Sequence, residues 1–181
     1  MSFGRLTPPI GFQPVLPKRR VFVSYCHKDD QEWYDALSAF SDWLELFSDR
    51  SLGEPVRSDD PEYVNRAIRE DRIVGSSVTI ILCGARTYGR KYVDWEIRST
   101  LHQSHGLIGV ALPTVSRNVE GVAIVPSRLH DNVNTGYAVW MNDWTWDSEM
   151  WKRVIEDAYQ RSQKRTLMIA NGRVKMTRNT T

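Results

Sequence analysis

Ser77-Val78-Thr79-Ile80-Ile81-Leu82-Cys83-Gly84, then a short polar turn, then Tyr92-Val93-Asp94-Trp95-Glu96-Ile97: the fold is decided on this stretch. Its first part is a mostly apolar, β-branched run bounded by Gly75 and Gly84. A strand covered on both faces, as in a parallel sheet, reads this way. In the second part Tyr92, Trp95, Ile97 and Leu101 recur at helix-type spacings. The chain thus passes from buried strand to amphipathic helix, with a carboxylate, Glu96, early in the helix. Ligands of open α/β sheets bind outside the carboxyl ends of the strands. Glu96 therefore stands where a catalytic acid could stand; the ordinary alternative is a solvated helix glutamate.

Before this stretch, Arg20 to Tyr25, centred on Val21-Phe22-Val23, reads as a first strand. Asp29 or Asp30 can cap the helix that follows, over Gln31 to about Trp43, with Trp33, Leu37, Phe40 and Leu44 on one face. A short strand is expected around Leu46-Phe47, a loop over 50–60, and an amphipathic helix from Pro61 to about Val74. After it, Leu107 to Leu112 is a fourth buried strand stopped by Pro113. Residues 114–135 read as polar and turn-rich. Tyr137 to Met141 is a fifth strand and Trp144 to Ser162 a final helix with Trp151, Val154, Ile155, Ala158 and Tyr159 inward. The alternation predicts an α/β fold: a doubly wound, mostly parallel five-stranded sheet with helices on both faces. The simplest order is 2-1-3-4-5, the flavodoxin-like arrangement, which puts the ends of the first and third strands side by side.

Residues 1–19 are expected to be a Pro-rich arm, 20–162 the domain, and 163–181 a basic tail, loose or with a short hairpin at Asn171-Gly172. The formal net charge is +2, which gives no global argument for nucleic acid, although no acid follows Asp157. The two cysteines, Cys26 and Cys83, fall in apolar strand patterns, which suits buried thiols in a reducing cytoplasm. No signal peptide and no apolar run long enough for a membrane span is visible.

Several chemistries are excluded on residues. There is no phosphate-binding G-x-x-x-x-G-K-[ST] and no G-x-G-x-x-G after the first strand. The acid pair and phosphoacceptor aspartate of a receiver domain are replaced by Ser24-Tyr25-Cys26 and Cys83-Gly84. His27, His102, His105 and His130 form no metal-ligand motif, and G-x-S-x-G is missing. One carboxylate beside aromatic residues remains. It suits cleavage of a glycosidic bond, in which positive charge develops on a sugar. A cationic nicotinamide leaves as a neutral molecule, so no general acid is needed. Tyr25, Tyr88, Tyr92 and Trp95 are candidates to flank the base rings, with ordinary core packing as the alternative.

Val21-Phe22-Val23-Ser24-Tyr25-Cys26-His27-Lys28-Asp29-Asp30 resembles the first box of TIR and TIR-like families: a hydrophobic triplet, Ser-Tyr-Ser, then His and Asp residues. Phe47-Ser48-Asp49-Arg50-Ser51-Leu52 resembles their second box, and Ser77 to Ile97 their third strand and catalytic-glutamate helix. The resemblance covers about residues 20–145 and is nearest to the TIR-like sensor enzymes of Thoeris antiphage defence. It implies an enzyme with NAD as substrate and no cofactor. On phage infection such an enzyme makes an ADP-ribose-derived, cyclic signal for a separate effector. Glu96 matches the catalytic glutamate. Ser24, Tyr25, Cys26, Asp49, Gly84 and Tyr88 match positions around the nucleotide, and Tyr92 stands where many members carry tryptophan. Cys26 departs from the usual serine or histidine. Self-association and a low basal activity are implied, with neither membrane nor nucleic acid as partner. Two other readings compete: a non-catalytic assembly module of TIR type, and a nucleoside-transferase-like enzyme acting on free nucleosides.

Overall fold

The computed structural model describes residues 19–41, 45–47 and 71–180. Expectations for the N-terminal arm, the 50–60 loop, Asp49 and most of the helix before Val74 fall outside these residues. Five strands, β1 (Arg20–Ser24), β2 (Glu45–Phe47), β3 (Val78–Cys83), β4 (Gly106–Ala111) and β5 (Val139–Met141), pair in the order β2-β1-β3-β4-β5. Every neighbouring pair is parallel. All six residues of β3 and all six of β4 are buried, as both-face coverage requires.

The helices are α1 (His27–Phe40), α2 (71–75), α3 (Lys91–His102), α4 (Ser127–Asn134) and α5 (Ser148–Lys164). Strand alternation divides the core in two. Val21, Val23, Val78, Ile80, Leu82, Ile108 and Val110 point to one face and pack with Leu37 of α1 and Trp151, Ile155 and Ala158 of α5. Ile81, Cys83, Leu107 and Ala111 point to the other, against Val93, Ile97 and Leu101 of α3 and Leu129 of α4. The α/β class, the parallel sheet and the apolar faces of α3 and α5 follow the sequence reading.

Four expectations are corrected. First, α1 starts at His27, with Cys26 as its N-cap and no side-chain cap. Asp29 and Asp30 lie inside the first turn, where carboxylates complement the helix dipole, and Asp30 departs from helical geometry (φ −120°, ψ 15°). Second, the polar stretch 114–135 contains α4. Its buried residues are Arg128, Leu129 and Asn132, so hydrophobic periodicity could not reveal it. Third, residues 165–180 neither hang loose nor form a hairpin. After a 3-10 turn at Thr166–Met168 they run back over α4 and α3. Fourth, the last helix starts later than expected, at Ser148, where the Asp147 carboxylate accepts from Glu149 N (2.9 Å) and Met150 N (3.2 Å).

Candidate active site

The site grows from the same alternation. Tyr25 continues the α1 side of β1 and stacks on Tyr34 of α1, ring centroids 5.1 Å apart. Ser24, one residue earlier, must face α3. Its hydroxyl donates to Glu96 Oε2 at 2.5 Å. Glu96 is 5% exposed, so the alternative of a solvated helix glutamate is ruled out. A buried carboxylate needs such donors to offset its lost hydration. Further along α3, Thr100 Oγ1 lies 2.8 Å from both Glu96 O and Thr79 Oγ1, which ties the helix to β3.

Glu96 opens into a cleft of about 180 Å³ at the carboxyl end of the sheet. The β1–α1 junction contributes Tyr25, Cys26, His27 and Lys28; α3 and its cap contribute Arg90, Tyr92, Val93 and Glu96; Asn179 comes from the C-terminal segment. The His27 ring lies 4.2 Å from that of Tyr25. Tyr25 OH donates to Gln31 Oε1 at 3.0 Å, so its ring orientation is fixed. Cys26 donates to Asp29 Oδ2 at 3.1 Å, and burial, followed by that bond, pushes its thiol pKa up. Cys26 is thus a protonated, slowly reacting thiol at rest and is given no part in catalysis.

Two cations, Lys28 and Arg90, accompany Glu96 in the cleft wall. Asp29 lies beside them, its Oδ2 3.9 Å from Arg90 Nη2, but its closer partner lies outside the cleft lining. The Arg86 guanidinium binds it through two hydrogen bonds and, above all other causes, holds its carboxyl down at about 2. This pair ties the β3–α3 connection to the start of α1. Behind it, Asp30 is fully buried and Oδ2 accepts from Thr87 Oγ1 at 3.1 Å. Thr87 in turn accepts from Gly84 N at 3.0 Å.

Of the residues singled out from sequence, Ser24, Tyr25, Cys26, Tyr92 and Glu96 come together here. Gly84 and Tyr88 are not among the described residues that line the cleft. Gly84 instead abuts the Asp30 carboxylate so closely that a Cβ would collide with it, and Tyr88 sits in the 3-10 turn Thr87–Gly89. Trp95 faces away, its indole N–H donating to Met176 O at 2.7 Å. Asp49 lies outside the described residues. His27, Lys28, Arg90 and Asn179 were not picked out as site residues. Lys28 and His27 stand within the first box and could have been; Asn179 carries no local signal.

The chain is therefore an α/β protein with a parallel sheet and one buried carboxylate facing a cleft at the sheet's carboxyl end. The family described as Thoeris protein ThsB, TIR-like domain, matches residues 22–117, more than half of the 181 residues. The chain belongs to that family. No curated protein matches the chain. Among solved structures, a conserved protein from Enterococcus faecalis V583 is 8% identical over 80% of this chain and 99% of its own (TM-score 0.48). The TIR domains of the activated Roq1 resistosome are 13% identical over 81% and 85% (TM-score 0.41). A 2-deoxyribosyltransferase from Bacillus psychrosaccharolyticus is 15% identical over 57% and 82% (TM-score 0.41).

Proposed function

We propose that the protein cleaves the bond between nicotinamide and ribose in NAD and releases an ADP-ribose-derived, cyclic signal. The signal diffuses in the cytoplasm to a separate effector of antiphage defence. The observation that carries this reading is Glu96: buried, bonded to Ser24, and facing a cleft that holds aromatic rings and two cations. The bond to the pyridinium nitrogen breaks with its electron pair going to nitrogen, so nicotinamide leaves neutral. Positive charge builds on the ribose, opposite Glu96, and the ribose hydroxyls donate to the same carboxylate. Removing one such group costs about 3 kcal/mol or more of transition-state stabilisation. A nucleophile of the remaining ADP-ribose closes on the sugar cation and sheds its proton to solvent. Tyr25 and Tyr92 flank the rings; Lys28 and Arg90 take the pyrophosphate side. NAD is consumed as a substrate, and no resident cofactor is invoked.

Idle turnover stays low because the site is completed only by self-association or by a viral ligand. The test is nicotinamide release by purified protein over a range of concentrations, together with mass spectrometry of metabolites from phage-infected cells. Specific activity is expected to rise with protein concentration and to vanish in Glu96→Gln. Infected cells that release no nicotinamide, and that stay fully protected with Glu96→Gln, would overturn the reading in favour of a non-catalytic assembly module.

A further inference from the structure

The segment after Ala170 crosses the elements that position Glu96, and it is held in two different ways. Its first part is anchored by buried groups. Arg128, at 0% exposure, donates from Nη1 to Asn171 Oδ1 (2.9 Å) and from Nη2 to the carbonyls of Arg173 (3.1 Å) and Val174 (3.3 Å). Asn132 exchanges two hydrogen bonds with Ala170 (2.9 and 3.0 Å). Met176 N donates to Asp94 Oδ2 at 3.0 Å, and the Lys175 ammonium lies 3.8 Å from the Trp95 ring centroid. The next residues, Thr177 to Thr180, are exposed. They are fastened by Lys91 N donating to Asn179 Oδ1 (3.0 Å) and Thr180 N donating to Gly89 O (2.9 Å).

These two bonds lie at the cleft. Asn179 lines it together with Glu96 and Arg90. The donor it occupies, Lys91 N, belongs to the first turn of α3, whose N–H groups are those a helix offers to a phosphate. A substrate phosphate and the Asn179 amide oxygen would compete for one N–H. Gly89 admits the crossing: a Cβ there would collide with the Thr180 carbonyl.

We propose that residues 177–180 are a latch over the mouth of the Glu96 cleft. The anchored part, 170–176, is its hinge, and the tip must swing off α3 before a phosphate-bearing nucleotide can enter. The nucleotide's identity rests on the NAD reading; the latch does not. It therefore has a readout of its own in Cys26, which lines the cleft, while Cys83 is fully buried and serves as a folding control.

The experiment compares the wild-type chain with Asn179→Ala, Gly89→Ala and a deletion of 177–181. It measures maleimide labelling of each cysteine by peptide mapping and basal nicotinamide release. Loss of one exposed hydrogen bond is expected to raise Cys26 labelling about fivefold. Deletion is expected to raise it about tenfold or more, with Cys83 unlabelled throughout and basal turnover rising in the same order. Cys26 rates within about twofold of wild type in all three variants would overturn the latch, whatever the NAD result. Faster labelling with lower turnover would also overturn it, because the segment would then complete the site. Faster labelling with no turnover by any form, wild type included, supports the latch and counts against the NAD reading.

Discussion

Ser24 and Glu96, 72 residues apart in sequence, share a 2.5 Å hydrogen bond that joins the end of β1 to the second turn of α3. The bond exists because β1 and β3 are neighbours, in register Ser24↔Ile81, and because alternation turns Ser24 toward the α3 face. It fixes one oxygen of the only carboxylate among the described cleft residues.

Ser24→Ala should leave the fold intact and lower kcat. Hydrogen bonds to charged groups contribute about 1.5–3 kcal/mol, which corresponds to a loss of about tenfold to a hundredfold. KM should change little, since Ser24 acts through Glu96. Ser24→Thr, which keeps the hydroxyl, should recover most of the rate. Steady-state nicotinamide release is the measurement, and an unchanged kcat for Ser24→Ala would remove Ser24 from the positioning of Glu96.

Asp94 and Arg128 form a second long-range link, Nε to Oδ1 at 2.9 Å, with both side chains nearly excluded from solvent. Arg128 also supports the backbone of 171–174, so α3, α4 and the C-terminal segment meet at one guanidinium. Breaking a buried pair from one side costs about 3–5 kcal/mol, because the other charge is stranded. Arg128→Met should therefore destabilise the protein by about that much in urea unfolding. Arg128→Met combined with Asp94→Leu should cost less than the sum of the single changes. Additive effects would mean that the two residues are not coupled.

What the sequence disclosed and what it hid divide along physical lines. The β1 and β3 runs and the α3 stripe are legible because apolar burial leaves a regular trace; Ser24 ends the first of these and Glu96 sits in the last. α4 left no trace because Arg128 and Asn132 are buried by virtue of hydrogen bonds to a distant segment, which no local pattern records. Asn179 reaches the cleft only through that same segment. Trp95 looked like a ring-stacking candidate, yet it lies under Lys175 and Met176, on the side of α3 covered by the C-terminal segment. Asp29 and Asp30 looked like caps; they occupy the first turn instead, one bound by Arg86 and the other buried.

Those two aspartates predict opposite pH responses. Burial, partly offset by the Thr87 hydrogen bond, pushes the Asp30 carboxyl up from 3.8 to about 6. The folded state therefore prefers it protonated. Its contribution to stability is fully present below about pH 3.8 and is lost as pH rises through about 6. Asp29, held down at about 2 by Arg86, acts the other way. Its contribution is present above 3.8 and is lost as pH falls toward 2. Urea midpoints from pH 2 to 8 should show Asp30→Asn flattening the fall between 4 and 6 and gaining on the order of 2–3 kcal/mol over wild type at pH 7. Arg86→Ala should lower stability at every pH above 3.8 and flatten the fall below it. An unchanged slope between 4 and 6 in Asp30→Asn would show that Asp30 titrates alike in both states.

Gly84 and Asp30 offer a steric test of the same corner. The Gly84 Cα approaches the Asp30 carboxylate so closely that any Cβ overlaps its oxygens. Asp30 cannot retreat easily: it is fully buried, and its Oδ2 is bonded to Thr87, whose hydroxyl also holds Gly84 N. Gly84→Ala should destabilise the protein by about 1–3 kcal/mol, the usual cost of overpacking. It should also lower turnover, because the displaced loop leads directly into α3 and Glu96. Asp30→Ala opens space opposite the new methyl group, so the double variant should be more stable than the sum of its parts predicts. If Gly84→Ala were as stable and as active as wild type, the contact would not constrain the loop, and the glycine would need another explanation.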